Sequence, residues 1–253
     1  MIQKIKVGAV SYLNTKPLVY GFEHGLMQDE VNLSFDYPAN VARQLLNDEI
    51  DVGLVPVAVL PMMENYHIIS DYCIGAEGPV ASVCLFSDVP LEDISEVLMD
   101  YQSRTSVALL KILLAEHWKI KPVLTAAAKG FEEQIKGTTA GLVIGDRAFV
   151  QRQQSKYIYD LADAWKQMTG LPFVFAVWAS NKKLPAAFTD KFNSVTGEGL
   201  QHIDGIVKQQ QYAAYDLSVY YTQNISYTLN ETKKEALALF QKILKTAPEK
   251  IST

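Results

Sequence analysis

Apolar runs and helically spaced apolar positions alternate along the first part of the chain. Residues 5–10, 31–37 and 52–59 read as strands, while residues 17–26 and 41–47 carry apolar side chains at helical spacing. Val41, Leu45 and Leu46 follow Asn40, a residue suited to an N-cap. The order is βαβαβ. Residues 50–55, apolar except for Asp51 and Gly53, predict a strand buried on both faces of a parallel sheet with crossover helices.

A second set follows. Residues 80–86, 97–100, 122–124 and 141–145 predict strands around a strongly apolar helix at 107–118. Residues 173–178 are too apolar for an exposed loop, and 184–207 and 231–244 have helical spacing. Joined through strands near 82–90 and 173–180, the two sets predict an α/β chain of two lobes. Residues 1–85 and 178–253 form lobe I, with the C-terminal helices, and residues 86–177 form lobe II. Each is expected to be a mostly parallel sheet flanked by helices, with a ligand in the cleft at the carboxyl ends of strands from both.

With 253 residues, 49% of them hydrophobic and 20% charged, the chain can bury one large core or two modest ones. Its net charge of −5 repels phosphate backbones and anionic membranes, which excludes nucleic acid and membrane surfaces and favours a small-molecule partner. Residues 5–10 already read as a strand, so a secretory leader is not expected and a cytoplasmic location is. No apolar run reaches the roughly 20 residues of a membrane span. Cys73 and Cys84 lack CxxC spacing, the histidines stand alone, and no zinc, nucleotide or calcium motif is present, so no metal is expected.

Chemistry concentrates at strand ends. Ser11, Tyr12, Asn14 and Thr15 follow the first strand and precede Pro17, which fits the first turn of a helix. Such a turn offers N–H groups and hydroxyl or amide donors to an anion, but helix capping alone also accounts for it. Ser103, Arg104, Thr105 and Ser106 repeat the arrangement in the second set, with more hydroxyls than a cap needs. Gly75 and Gly78 let the backbone turn ahead of Ser82, which has no Gly-x-Ser-x-Gly context and no evident histidine partner, so its role is that of a donor and not a nucleophile. Gly145 and Asp146 end a buried strand, where a ligand can approach the glycine or Asp146 can cap the next helix. Glu132 and Glu133 read as a solvated helix face, and the tyrosines between 212 and 227 as packing.

Residues 10–18 (VSYLNTKPL), 78–83 (GPVASV), 103–106 (SRTS), 143–148 (VIGDRA) and 169–178 (TGLPFVFAVW) together resemble the chorismate dehydratases of the futalosine route to menaquinone, in order and over nearly the whole chain. The resemblance implies a type II periplasmic-binding-protein fold used as an intracellular enzyme. It implies cofactor-free loss of water from the small anion chorismate, giving 3-[(1-carboxyvinyl)oxy]benzoate. It assigns Asn14 and Ser82 to the reacting centre and Thr105 and Ser106 to a carboxylate. Ser11, Tyr12, Pro56, Ser103, Arg104, Gly145 and Asp146 complete the expected substrate-binding set. Two alternatives remain open: the dihydroxynaphthoate-releasing lyase of the same route, whose histidine base is expected about where Gly145 and Asp146 stand, and a non-catalytic intracellular binder of small anions.

Overall fold

The computed structural model describes residues 4–210 and 212–246. β1 (Ile5–Val10), α1 (Lys16–Glu23), β2 (Val31–Asp36), α2 (Pro38–Leu46) and β3 (Val52–Pro56) form the expected βαβαβ and lead to β4 (His67–Ala76). Then come β5 (Val83–Ser87), β6 (Glu96–Met99), α3 (Arg104–Ile112), β7 (Val123–Ala126), β8 (Thr139–Ile144), α4 (Asp146–Gln151), β9 (Tyr157–Asp160), α5 (Leu161–Thr169) and β10 (Phe173–Ser180). The remainder is α6 (Ala186–Glu198), α7 (Ile203–Gln210), the single turn α8 (Leu217–Val219), β11 (Ser226–Thr228) and α9 (Glu231–Thr246). These elements fall into two compact units. The first takes the chain up to Gly75 and Val174–Glu231; the second takes Ala76–Phe173 and the residues from Thr232 onward.

The sheet of the first unit has the order β11-β4-β10-β3-β1-β2. β1 pairs in parallel with β2 and β3, whereas β10 lies antiparallel to β3. Every residue of β3 and β10 is buried, which is why both read as unbroken apolar runs. Trp178 of β10 packs against Phe22 of α1 and Phe192 of α6, with ring centroids 6.4 and 5.1 Å away. Gly199, just after α6, lets this layer close on α1: a Cβ there would lie 2.1 Å from the Pro17 carbonyl oxygen and 2.6 Å from the Tyr20 Cβ. Since the obstacle is backbone, Gly199→Ala is expected to cost about 3 kcal/mol or more. That corresponds to a fall in Tm of roughly 6–12 °C for a chain of this size, measurable by calorimetry.

The second unit is built on a sheet of order β7-β6-β8-β5-β9. β6 runs parallel to β7 and β8, and β5 runs antiparallel to β8 and β9. Phe86, Leu98, Phe131 and Val143 fill one face. α9 belongs to this unit: Phe240 meets the Trp165 and Phe173 rings edge-on at 6.0 and 5.1 Å. Lys233, fully buried, sets its Nζ 3.3 Å from Glu77 Oε1.

Several expectations need correcting. The last helix was expected in lobe I, but its apolar face is taken up by Trp165 and Phe173 of the second unit. The unit boundaries fall at Gly75/Ala76 and Phe173/Val174 instead of 85/86 and 177/178. Both sheets are mixed, because β10 runs antiparallel to β3 and β5 runs antiparallel to β8 and β9. β3 ends at Pro56, where the chain tightens into a 3-10 turn over Val57–Met62. Asn40 is not an N-cap: α2 starts two residues earlier at Pro38, and the Asn40 amide donates to Asp36 Oδ1 at 2.9 Å. The helical stretch 184–207 is broken by the 3-10 turn Gly199–Gln201, and the helix at 107–118 finishes in a π turn over Leu113–His117.

Candidate functional site

In the first unit, the register of β1 with β3 advances 45 positions (Gly8 opposite Gly53), so Ser11 stands level with Pro56 at the carboxyl edge of the parallel strands. Ser11 is exposed and Pro56 is buried. Tyr12 is extended, a 3-10 turn covers Leu13–Thr15, and α1 begins at Lys16 with Pro17 in its first turn. No side chain caps either of these helical starts, so capping does not account for this loop's polar residues. Asn14 is half-buried. Its Oδ1 accepts from Thr15 Oγ1 at 3.3 Å, and its main-chain oxygen accepts from the Tyr227 hydroxyl at 3.0 Å. Burial, with Tyr220 and Tyr221 adjacent, pushes the Tyr227 phenol well above its ordinary range, so it remains a neutral donor clamping the Asn14 backbone. Lys16 is committed elsewhere, 3.7 Å from Glu23 Oε1 and above the Phe35 ring.

In the second unit, β6 and β8 end where β5 begins. The β5–β8 register sets Val83 opposite Ile144, which brings Ser82 against Gly145, whose N–H donates to the Ser82 carbonyl at 2.8 Å. Gly145 takes φ 63° and ψ −150°, a conformation essentially closed to side-chain-bearing residues. Ser82 is 1% exposed. The turn before it was expected to rely on Gly75 and Gly78; the residue with positive φ is Ala81, at 64°. Its N–H is taken by Asp160 Oδ2 at 2.7 Å and its carbonyl by Arg152 Nη1 at 3.3 Å.

At the same sheet edge Ser103 is the N-cap of α3: its Oγ accepts from the Ser106 N–H at 3.2 Å and from the Ser106 hydroxyl at 3.0 Å. Capping therefore explains Ser103, while Thr105 and Ser106 are buried in the helix's first turn and Arg104 is exposed. Asp146 is the first residue of α4, one position past the Gly145 cap, so it does not serve as the cap that the sequence allowed.

The sequence reading missed what holds this edge together. Arg147 donates to Asp100 Oδ2 at 2.5 Å, to Gln102 Oε1 at 2.8 Å and to Glu132 Oε1 at 2.6 Å. Its guanidinium also lies over the Tyr101 ring at 5.4 Å. Glu132 is thus an ion-pair partner and not a solvated helix face. Burial pushes the Asp100 carboxyl up, and Arg147 offsets only part of that push. Asp160 is raised by burial too, against four backbone N–H donors. Asp100 ends the predicted strand 97–100 and Arg147 lies inside the 143–148 segment, but nothing in their spacing signals that they pair. Burial and the adjacent Asp160 push the Cys84 thiol well up, which favours its protonated form.

The two sheet edges thus collect different groups: Ser11, Asn14 and Pro56 in one unit; Ser82, Gly145 and the Ser103–Ser106 turn in the other. Both carry hydroxyl or amide side chains, neutral groups of the kind that can hold carboxylates and stabilise developing negative charge. Neither Asn14 nor Ser82 is a base near neutral pH. Among the described residues no helix is long and apolar enough to cross a membrane.

A chorismate dehydratase from Thermus thermophilus is 28% identical to this chain, over 94% of each. Among solved structures, a protein from Archaeoglobus fulgidus matches with TM-score 0.76 at 14% identity, over 97% of this chain and 98% of its own. The alkanesulfonate-binding protein from Xanthomonas axonopodis pv. citri matches with TM-score 0.63 at 12% identity, over 98% and 93%. A Candida albicans protein described as having the generic periplasmic binding protein fold matches with TM-score 0.61 at 14% identity, over 99% and 94%. These likenesses bear out the expected periplasmic-binding-protein-like fold. A family described as menaquinone biosynthesis matches residues 5–246, and the chain belongs to that family.

Proposed function

We propose that this protein is a chorismate dehydratase, a cytoplasmic hydro-lyase that converts chorismate to 3-[(1-carboxyvinyl)oxy]benzoate. The observation that carries the reading is the end-to-end similarity to the Thermus thermophilus chorismate dehydratase within a shared family. The absence of a histidine at Gly145 and Asp146 weighs against the lyase of the same route.

In this reading the C3–H bond breaks, its electron pair forms the new ring double bond, and the C4–O bond breaks as water leaves. The ring becomes aromatic, which drives the reaction forward. The ring carboxylate is vinylogous to C3, so donors aimed at it stabilise the dienolate that develops as the proton leaves. Thr105 and Ser106 are assigned to a carboxylate, with Ser11, Tyr12, Pro56, Ser103, Arg104, Gly145 and Asp146 around the substrate. Asn14 and Ser82 are assigned to the reacting centre, each contributing about 3–4 kcal/mol of transition-state stabilisation if it acts as a well-placed donor. Since neither is a base, the proton passes to a substrate carboxylate or to a water they orient.

The test is incubation of purified protein with chorismate, followed by ultraviolet absorbance and mass spectrometry. A new aromatic band with loss of one water supports the reading. Unchanged chorismate sinks it, whether or not chorismate raises Tm, and consumption of a cyclised futalosine instead transfers the assignment to the sister lyase.

A further inference from the structure

We infer that Asp160 is a positioning residue for Ser82, one that fixes the turn presenting it and does not merely cap a helix. The inference rests on the proposed role of Ser82.

Asp160 closes β9 and is the N-cap of α5, accepting from the N–H groups of Ala162 at 3.0 Å and Asp163 at 3.2 Å through Oδ1. A cap needs nothing more. The same Oδ1 also accepts from the Val80 N–H at 3.1 Å, and Oδ2 accepts from the Ala81 N–H at 2.7 Å. One carboxylate thus ties the start of α5 to the two residues immediately before Ser82.

The tie has something to hold. Ala81 sits at φ 64°, a left-handed conformation that its Cβ disfavours and that persists only when the surroundings impose it. The Ser82 N–H is turned back onto the Val80 carbonyl at 2.8 Å, and its own carbonyl receives the Gly145 N–H. Ser82 therefore inherits its orientation from a backbone bend that Asp160 enforces on one side and Arg152, bonded to the Ala81 carbonyl, on the other. No motif linked Asp160 to Ser82, which lies 78 positions away and meets it only through the β5–β9 pairing that places Cys84 opposite Asp160.

Asp160→Asn separates the two roles. Asparagine is as good an N-cap as aspartate, and its oxygen in the Oδ1 position keeps the Ala162, Asp163 and Val80 bonds, but the amide nitrogen that replaces Oδ2 cannot accept from the Ala81 N–H. Misplacement of a reacting group by about 1 Å costs on the order of 10²-fold, so kcat on chorismate is expected to fall toward that extent, with KM changed less than about two-fold. Adding Ala81→Gly, which accepts φ 64° without strain, is expected to restore kcat several-fold in the Asp160→Asn background. Retained kcat with only a lower Tm, or no recovery in the double variant, overturns the inference. If the wild-type protein leaves chorismate unchanged, the proposed activity fails, and this inference is then judged by amide exchange. Faster exchange at Ala81 and Ser82 in Asp160→Asn supports it, and unaltered exchange overturns it.

Discussion

Asn14→Ala and Ser82→Ala are each expected to lose about 10²–10³-fold in kcat on chorismate, the usual cost of removing one preorganised donor, while keeping near wild-type Tm. The structure explains why folding survives. The Asn14 loop is held through its main chain, by the Tyr227 hydroxyl on the Asn14 carbonyl and by the Thr15 N–H on the Tyr12 carbonyl, so truncating the side chain removes one bond from Thr15 and leaves the clamp intact. Ser82 is likewise held by backbone bonds to Val80 and Gly145, none of which needs its hydroxyl. Steady-state kinetics alongside calorimetry tests the pair. Near-normal turnover in both removes the two assignments, and a large fall in Tm makes the loss of kcat uninformative about chemistry and refutes the claim that the main chain carries these turns.

The alternation of apolar runs with helical spacing was enough to find β1, β3, β5, β6, β8 and β10, because most of their residues are buried and leave continuous apolar stretches, and it also reached β2, where only Val31 is buried. The strands it overlooked follow from the same physics. β4 interleaves His67, Ser70 and Asp71 with its apolar residues and is exposed at several positions, so its pattern resembles a loop. β9 is Tyr-Ile-Tyr-Asp with every residue half-buried, and β11 spans only Ser226–Thr228. α9 was legible as a helix but not in its allegiance, since an amphipathic stripe does not say which aromatic surface it covers.

The same division holds for the candidate site. Turns such as Ser11–Thr15 and Ser103–Ser106 announce themselves through hydroxyls beside a helix start. The groups that shape or flank them do not: Tyr227 acts on Asn14 from 213 positions away, Asp160 on the turn before Ser82 from 79 and 80, and Arg147 on Gln102, just ahead of Ser103, from 45, and only the fold brings them there. Even the bend before Ser82 was attributed to its glycines, whereas an alanine forced to positive φ makes it.

Arg147→Met should be the most destabilising of the substitutions considered. The Asp100 side chain is fully enclosed, and among the described residues Arg147 supplies its only ion-pair contact while also holding Gln102 and Glu132. Removing one partner of a buried pair costs about 3–5 kcal/mol, because the other charge stays buried. At about 2–4 °C per kcal/mol, that lowers Tm by roughly 6–20 °C. The pH dependence identifies the cause. Burial already holds the Asp100 carboxyl above its ordinary range, so the folded state binds its proton more tightly than the unfolded chain does, and stability from this group falls as pH rises through the folded value. Without the guanidinium, and with Glu132 left nearby, the folded value rises further. The deficit relative to wild type is therefore greatest at neutral pH and shrinks as pH falls toward about 4, where the unfolded carboxyl also takes up its proton. Asp100→Asn in the same chain removes the stranded charge and should recover part of the lost Tm at neutral pH, with the pH dependence flattened. A deficit that stays constant with pH, or no recovery in the double variant, would mean that Arg147 serves the fold through its packing on Tyr101 and Phe131 and not through Asp100.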